Sequence, residues 1–245
     1  LERNYGWHVS LAALGVIAVI IAFPMVYFLR GSSLKGSQTG RSEAAVPIKA
    51  ILTNRNFYLL GIGSMCAIGA VGGINQHLKL YLRDLNFTQS QAAHVISLVL
   101  LSSLAGRVFM GWLADLIRRK YVMILIYMIV ASAIPLLLMP EFTGRIYIFA
   151  VIFGIGLGGD YMIIPLMAGD LFGVRALGRT MGIILVADGI AESLFPMLLG
   201  ALYNDVTKSY SVGFIILICV AVAGAIIVSF LPKPGKEIRE AVEAG

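Results

Sequence analysis

Four ionisable residues, Arg107, Asp160, Asp188 and Glu192, each interrupt a long apolar run. An arginine at membrane depth costs roughly 2.5–3.5 kcal/mol on insertion scales, so structure or function must compensate it. A guanidinium is a planar fork that donates two parallel hydrogen bonds to a carboxylate and stays charged at any working pH. Two uses fit that chemistry: a buried ion pair with one of the acids, which holds helices together, or capture of a small anion. Three acids at similar depth, all ionised, would outweigh Arg107 and repel an anion. At least one is therefore expected to hold a proton during part of a cycle, which is what a proton-coupled carrier needs. For any single acid the structural alternative is a cap on backbone groups or a second ion pair. Asp188 is the first proton candidate by depth. Asp188 and Glu192 are four apart and share one helix face.

The surrounding elements follow from composition. The chain has 245 residues, 59% apolar and 13% charged, where a soluble domain is about 25% charged. The apolar runs do not alternate, so an all-α membrane protein is expected, not a barrel. Seven segments are long enough to span, at about 20 residues per crossing. They are Trp7–Leu29, Phe57–Leu80, Ala92–Ile117, Tyr121–Met139, Arg145–Leu171, Thr180–Tyr203 and Ser211–Leu231. The first, fourth and seventh carry ionisable groups only at their ends. The last six then fall into two groups of three, each closing on a charge-free member, a plan common in transporters. The expected divisions are a first helix at 1–30, a central loop at 31–56, a six-helix unit at 57–232 and a tail at 233–245.

Basic residues sort by side. Arg30, Lys35, Arg41, Lys49, Arg55, Arg118, Arg119, Lys120, Arg175, Arg179, Lys233, Lys236 and Arg239 fall on one side; Arg3, Lys79, Arg83, Arg145 and Lys208 fall on the other. The richer side is read as cytoplasmic, which puts residue 1 outside and the C-terminus inside a cell membrane. The same sorting accounts for the positive charge without nucleic acid. At 1.5 Å per residue, Arg107 lies about 12 Å from Asp115, Asp188 about 14 Å and Glu192 about 20 Å from Arg179, and Asp160 about 18 Å from Phe172. A half-bilayer is about 15 Å, so all four sit near the midplane.

At the basic end, Arg118, Arg119 and Lys120 suit a helix C-terminus, but Asp115 does not. Asp115 is expected to pair with the next hairpin, through Arg179 or the start of the sixth segment, as an inner gate. Phe153–Asp160 reads F-G-I-G-L-G-G-D and contains G-x-G-x-x-G, yet no strand precedes it and it lies within a span, so a nucleotide site is rejected. Gly154 with Gly158, and Gly69 with Gly73, have the spacing that lets helices approach closely. Pro165 and Pro196 mark expected kinks. His77, Lys79 and His94 are read as mouth residues. Cys66 and Cys219 have no metal spacing, and no cofactor is expected. The seventh segment has no mid-span lysine for a retinal Schiff base, which argues against a photoreceptor. No nucleophile–base pair suggests an enzyme.

Gly111–Lys120, G-W-L-A-D-L-I-R-R-K, resembles the loop motif of the major facilitator superfamily. Gly111, Asp115, Arg119 and Lys120 fit it; Leu116 stands where a basic residue is usual and Arg118 where a glycine is. Seven spans with a long basic loop after the first, opening on Tyr5-Gly6-Trp7, resemble helices six to twelve of a twelve-helix carrier. The resemblance implies that the first five helices belong to a longer polypeptide. Within the superfamily, A-G-R-V-F-M-G around Arg107 is similar to monocarboxylate porters and bacterial organic-anion carriers. So is the stretch Tyr161–Tyr210, with Pro165, D-L-F-G at 170–173, Pro196, Gly200 and Tyr203. That likeness implies a substrate site of Arg107, Tyr161 and Ser103, where Ser103 replaces an acid frequent in those porters. Oxalate-type antiporters carry a second basic residue where this chain has Asp188 and Glu192, which favours a monoanion with proton symport. The alternatives are a cation or drug carrier using the acids, and an organic-anion antiporter.

Overall fold

The computed structural model describes residues 47–139, 144–203 and 209–232, with 15–17, 19, 20, 23 and 24. The chain divides into two compact units, Leu1–Ala44 and Ala45–Gly245. In the first unit the described residues are helical; most of the expected span Trp7–Leu29 lies outside the described residues, as do much of the 31–56 loop and the 233–245 tail.

Every element described in the second unit is a helix. In order they are α1 (Ile48–Thr53), α2 (Arg55–Asp84), α3 (Gln89–Leu116), α4 (Arg119–Ala133), α5 (Pro135–Leu138), α6 (Arg145–Ala201) and α7 (Ser211–Ser229). α1 falls in the stretch expected to be loop, where Ile51 anchors it to the core at 2% exposure. Thr88 starts α3 with a reciprocal cap: its hydroxyl accepts from the Gln91 N–H while the Gln91 side chain accepts from the Thr88 N–H. This satisfies two donors that a helix start otherwise leaves open.

Five stretches are long and apolar enough to cross a membrane: α2, α3, Arg119–Leu138, α6 and α7. α6 supplies a sixth crossing. Its 57 residues would make a straight rod of about 85 Å, nearly three times the hydrocarbon thickness. The helix breaks at Gly173, at φ 74° and ψ 161°. The Tyr161 hydroxyl donates to Glu192 Oε1 at 3.4 Å, although a straight helix would hold those residues about 46 Å apart. α6 is therefore two limbs, 145–172 and 174–201, folded back on each other. The loop expected between the fifth and sixth spans is replaced by a reversal at one glycine. The backbone through Pro165 and Pro196 keeps helical dihedral angles.

The dihedral angles of Gly173 belong to a region essentially closed to residues with a Cβ. Space is not the constraint, since a Cβ there would meet nothing within 4 Å. Gly173→Ala is expected to lower stability by about 1–3 kcal/mol through backbone strain alone. A lower thermal midpoint of the purified protein in detergent checks this; an unchanged midpoint would show that the reversal tolerates a side chain.

The seam between α3 and the first limb of α6 is built from small residues. A Cβ on Gly158 would stand 1.9 Å from the Ser103 carbonyl oxygen, one on Gly154 2.5 Å from that of Val99, and one on Gly106 2.5 Å from that of Ile155. The close approach expected from Gly154 and Gly158 is thus realised against α3. The end of the bundle away from the basic cluster is closed by aromatic and polar contacts. The Tyr81 hydroxyl donates to the Leu137 carbonyl at 2.6 Å and the Tyr203 hydroxyl to Asp84 at 2.7 Å. Arg145, 4% exposed, donates to the Met139 carbonyl and to the Tyr81 hydroxyl. Tyr210 packs on Tyr203 and Phe214. Burial first, then the neighbouring Asp84, push its hydroxyl above the usual phenol range, against a smaller pull from Arg83.

Candidate functional site

The buried positions of α3 are Ala92, Val95, Val99, Ser102, Ser103, Gly106, Met110 and Ala114. They recur every three or four residues and form one stripe against the bundle. Arg107 follows Gly106 and is turned about 100° away, onto the exposed face with Leu104, Val108, Phe109 and Trp112. Among the described residues Arg107 takes part in neither of the ion pairs, which are Arg83–Asp84 and Arg119–Asp170. Of the two uses open to Arg107, the ion pair with an intramembrane acid is not formed among the described residues. Arg107 and Tyr161 are electrostatic neighbours. Tyr161, 43% exposed, reaches across to Glu192 on the second limb. Ser103 is buried in the α3–α6 seam at 4% exposure, one turn before Arg107 and about 40° round the helix from it.

Behind this face lies a buried polar group. Asp160 sits about 20 Å along its limb from the reversal and Asp188 about 22 Å along the other, so folding at Gly173 brings them to matching depth. They are electrostatic neighbours, and Asp188 is in turn a neighbour of Glu192. Ser64 of α2 has no exposure, and its hydroxyl lies 2.7 Å from Asp188 Oδ1 and 2.9 Å from the Gly61 carbonyl. The Asp160 carboxyl oxygens, Asp188 Oδ2 and the Tyr127 hydroxyl of α4 are buried without a hydrogen-bond partner. Asp160 and Asp188 both act electrostatically on Tyr127. Each proline in a helix releases the carbonyl four residues earlier. Here those belong to Tyr161, from Pro165, and to Glu192, from Pro196, so both freed carbonyls fall at this site. The Pro196 carbonyl itself accepts from His77 Nε2 at 3.0 Å, so His77 holds α2 to the second limb.

At the basic end the partner of the cluster is Asp170. Arg119 donates to Asp170 Oδ1 at 2.6 Å and to the Leu166 carbonyl at 3.5 Å, and Lys120 donates to the Leu231 carbonyl. Asp115 is exposed, and neither of the ion pairs among the described residues includes it, whether with Arg179 or with the start of the sixth segment. Arg179 is exposed. A Cβ on Gly111 would meet only Met162, at 3.9 Å, so packing does not demand glycine there.

Three residues escaped the sequence reading: Ser64, Tyr127 and Asp170. Asp170 was visible in D-L-F-G, but only folding shows that Arg119 reaches it. Ser64 and Tyr127 have no sequence signal beyond a lone hydroxyl in an apolar run.

A sequence profile described as Major Facilitator Superfamily matches residues 61–244. Among curated proteins, Monocarboxylate transporter 13 of Rattus norvegicus is 26% identical over 64% of this chain and 37% of its own length. Monocarboxylate transporter 14 of Homo sapiens is 29% identical over 68% of this chain and 33% of its own. The protein named Probable nitrate/nitrite transporter NarK2 of Mycobacterium tuberculosis is 24% identical over 86% of this chain and 52% of its own. The chain thus spans about a third to a half of the relatives it matches. With a profile match over most of its length and the helices of a multi-pass membrane protein, the chain belongs to the major facilitator superfamily.

Proposed function

We propose that this chain contributes one half of a secondary transporter for a small monoanion, a monocarboxylate first, moved by proton symport. The carrying observation is Arg107, which stands on an uncovered helix face beside Tyr161 and Glu192, with two buried carboxyls behind. Arg107 holds the anion's charge, Tyr161 flanks it, and Asp160, Asp188 and Glu192 handle the proton. A facing set of helices from the same polypeptide closes the other wall, and rocking of the two halves gives alternating access. The basic end, with Arg119 and Asp170, faces the cytoplasm and closes that side; the membrane is the plasma or inner membrane. The names of the relatives support the anion class, since monocarboxylates, nitrate and nitrite are all singly charged.

The test is uptake into proteoliposomes holding the complete natural polypeptide. The panel is labelled monocarboxylates, nitrate and a set of organic cations, with and without an inward proton gradient. Gradient-stimulated uptake of a monocarboxylate is the expected result. Uptake of nitrate alone would move the substrate to inorganic anions, as the Mycobacterium tuberculosis relative's name suggests. Uptake of cations alone would reassign the acids to substrate binding and overturn the reading.

A further inference from the structure

The two buried carboxyls of the site have different surroundings. The Ser64 hydroxyl has one proton and two acceptors in reach, Asp188 Oδ1 at 2.7 Å and the Gly61 carbonyl at 2.9 Å; given to Asp188, that proton suits a carboxylate. Asp160 has no exposure and no hydrogen bond at either oxygen. An ionised carboxylate in that position would lose its water and gain nothing in return, whereas a neutral carboxyl is tolerated. Two carboxyls this close titrate as a pair, with one proton shared between unequal sites. Among the described residues, the groups that act on Asp160 come from four elements. Tyr127 comes from α4, Asp188 from the second limb, and Tyr161 from its own limb. α2 adds Ser64 through Asp188 and Cys66 through Tyr127. From α3 the side chain packed here is Met110, against Gly159, and Arg107 reaches the group only through Tyr161. α7 holds no acid or base, and its Cys219 is exposed.

We infer that the coupling proton is carried on Asp160 with Asp188 as its ionised partner, and that two positioning residues serve them, Ser64 beside Asp188 and Tyr127 for Asp160. This rests on the proton-coupled reading above and assigns roles within it. In the loading step a proton from water enters past the half-buried Glu192 and forms an O–H bond on Asp160. In the unloading step that bond breaks and the proton returns to water on the other side. The Tyr127 O–H, which has no hydrogen-bond partner here, then turns to donate to the carboxylate left behind. The four side chains come from α2, α4 and both limbs of α6, so a rocking motion that shifts these helices changes the exposure of Asp160.

The experiment uses the complete polypeptide in proteoliposomes, with two readouts for each variant. One is counterflow exchange of a labelled monocarboxylate, which needs no net proton movement. The other is accumulation driven by a proton gradient, measured across pH. Asp160→Asn is expected to lower the ratio of accumulation to counterflow at least tenfold. Ser64→Ala is expected to move the pH midpoint of accumulation toward alkaline by about half a unit to one unit, the size of one lost hydrogen bond. Ser64→Thr should restore it. Asp160→Asn with an unchanged ratio, or Ser64→Ala with an unmoved midpoint, overturns the assignment while leaving proton symport in place. Wild-type protein that ignores the gradient overturns symport itself, and the assignment with it.

Discussion

Arg107→Ala will weaken apparent affinity for the anion by about 10- to 150-fold, with fold and membrane insertion intact. The range follows from about 1.5–3 kcal/mol for a hydrogen bond to a charged group, with 1.4 kcal/mol per factor of ten. The fold should survive because Arg107 is exposed and holds no ion pair among the described residues. Removing it breaks no bond of the bundle and relieves a costly charge at membrane depth. Arg107→Lys keeps the charge but loses the two-pronged geometry, so it should fall between wild type and alanine. Initial uptake rates against substrate concentration, at fixed pH, check both variants. A wild-type KM in Arg107→Ala would remove Arg107 from the binding site and leave it as a surface cation.

Gly158→Ala will cost at least about 3 kcal/mol, the upper end of the usual overpacking range. The added methyl would stand 1.9 Å from the carbonyl oxygen of Ser103. An ordinary carbon–oxygen contact is about 3.3–3.6 Å, so the two helices must part by roughly 1.5 Å. The obstacle is backbone, and no rotamer change can relieve it. Parting would also open the contacts at Gly154 and Gly106 along the same seam. The control is Gly182→Ala, where a Cβ meets nothing within 4 Å and alanine gains roughly 0.5–1 kcal/mol in a helix. Thermal midpoint and monodisperse yield in detergent should fall sharply for Gly158→Ala and hold or rise for Gly182→Ala. Equal behaviour of the two would mean that the α3–α6 seam is looser than these contacts require.

The two largest effects differ in how they were legible. Gly154 and Gly158 announce a close helix contact by their spacing, because small residues four apart line one face of any helix. Which helix fills that groove was not legible, since α3 and the other helices offer similar apolar faces. Arg107 stood out because a charge in an apolar run needs a reason. Whether it pairs with an acid depends on the rotation of α3 about its axis. The buried stripe through Gly106 and Met110 sets that rotation and turns Arg107 outward.

The basic cluster shows the same division. Arg118, Arg119 and Lys120 mark one membrane face by composition, but no pattern in the sequence names an acidic partner for them. In the structure Arg119 finds Asp170 across the bundle, 51 residues away. A flexible arginine side chain near a helix end has several acids within reach, and only the packing of α4 against α6 selects among them.

By itself the sequence determined apolar helices long enough to cross a membrane and the place of each charged residue along them. Those properties depend on hydrophobicity and on a fixed rise per residue, and both are local. Tertiary structure alone decided that α6 reverses at Gly173, that Asp160 and Asp188 act on each other from the two limbs, that Ser64 lies against Asp188, and that Ser103 is buried in the α3–α6 seam. Each of these depends on helix rotation and on contacts between residues far apart in the chain, which no local pattern encodes.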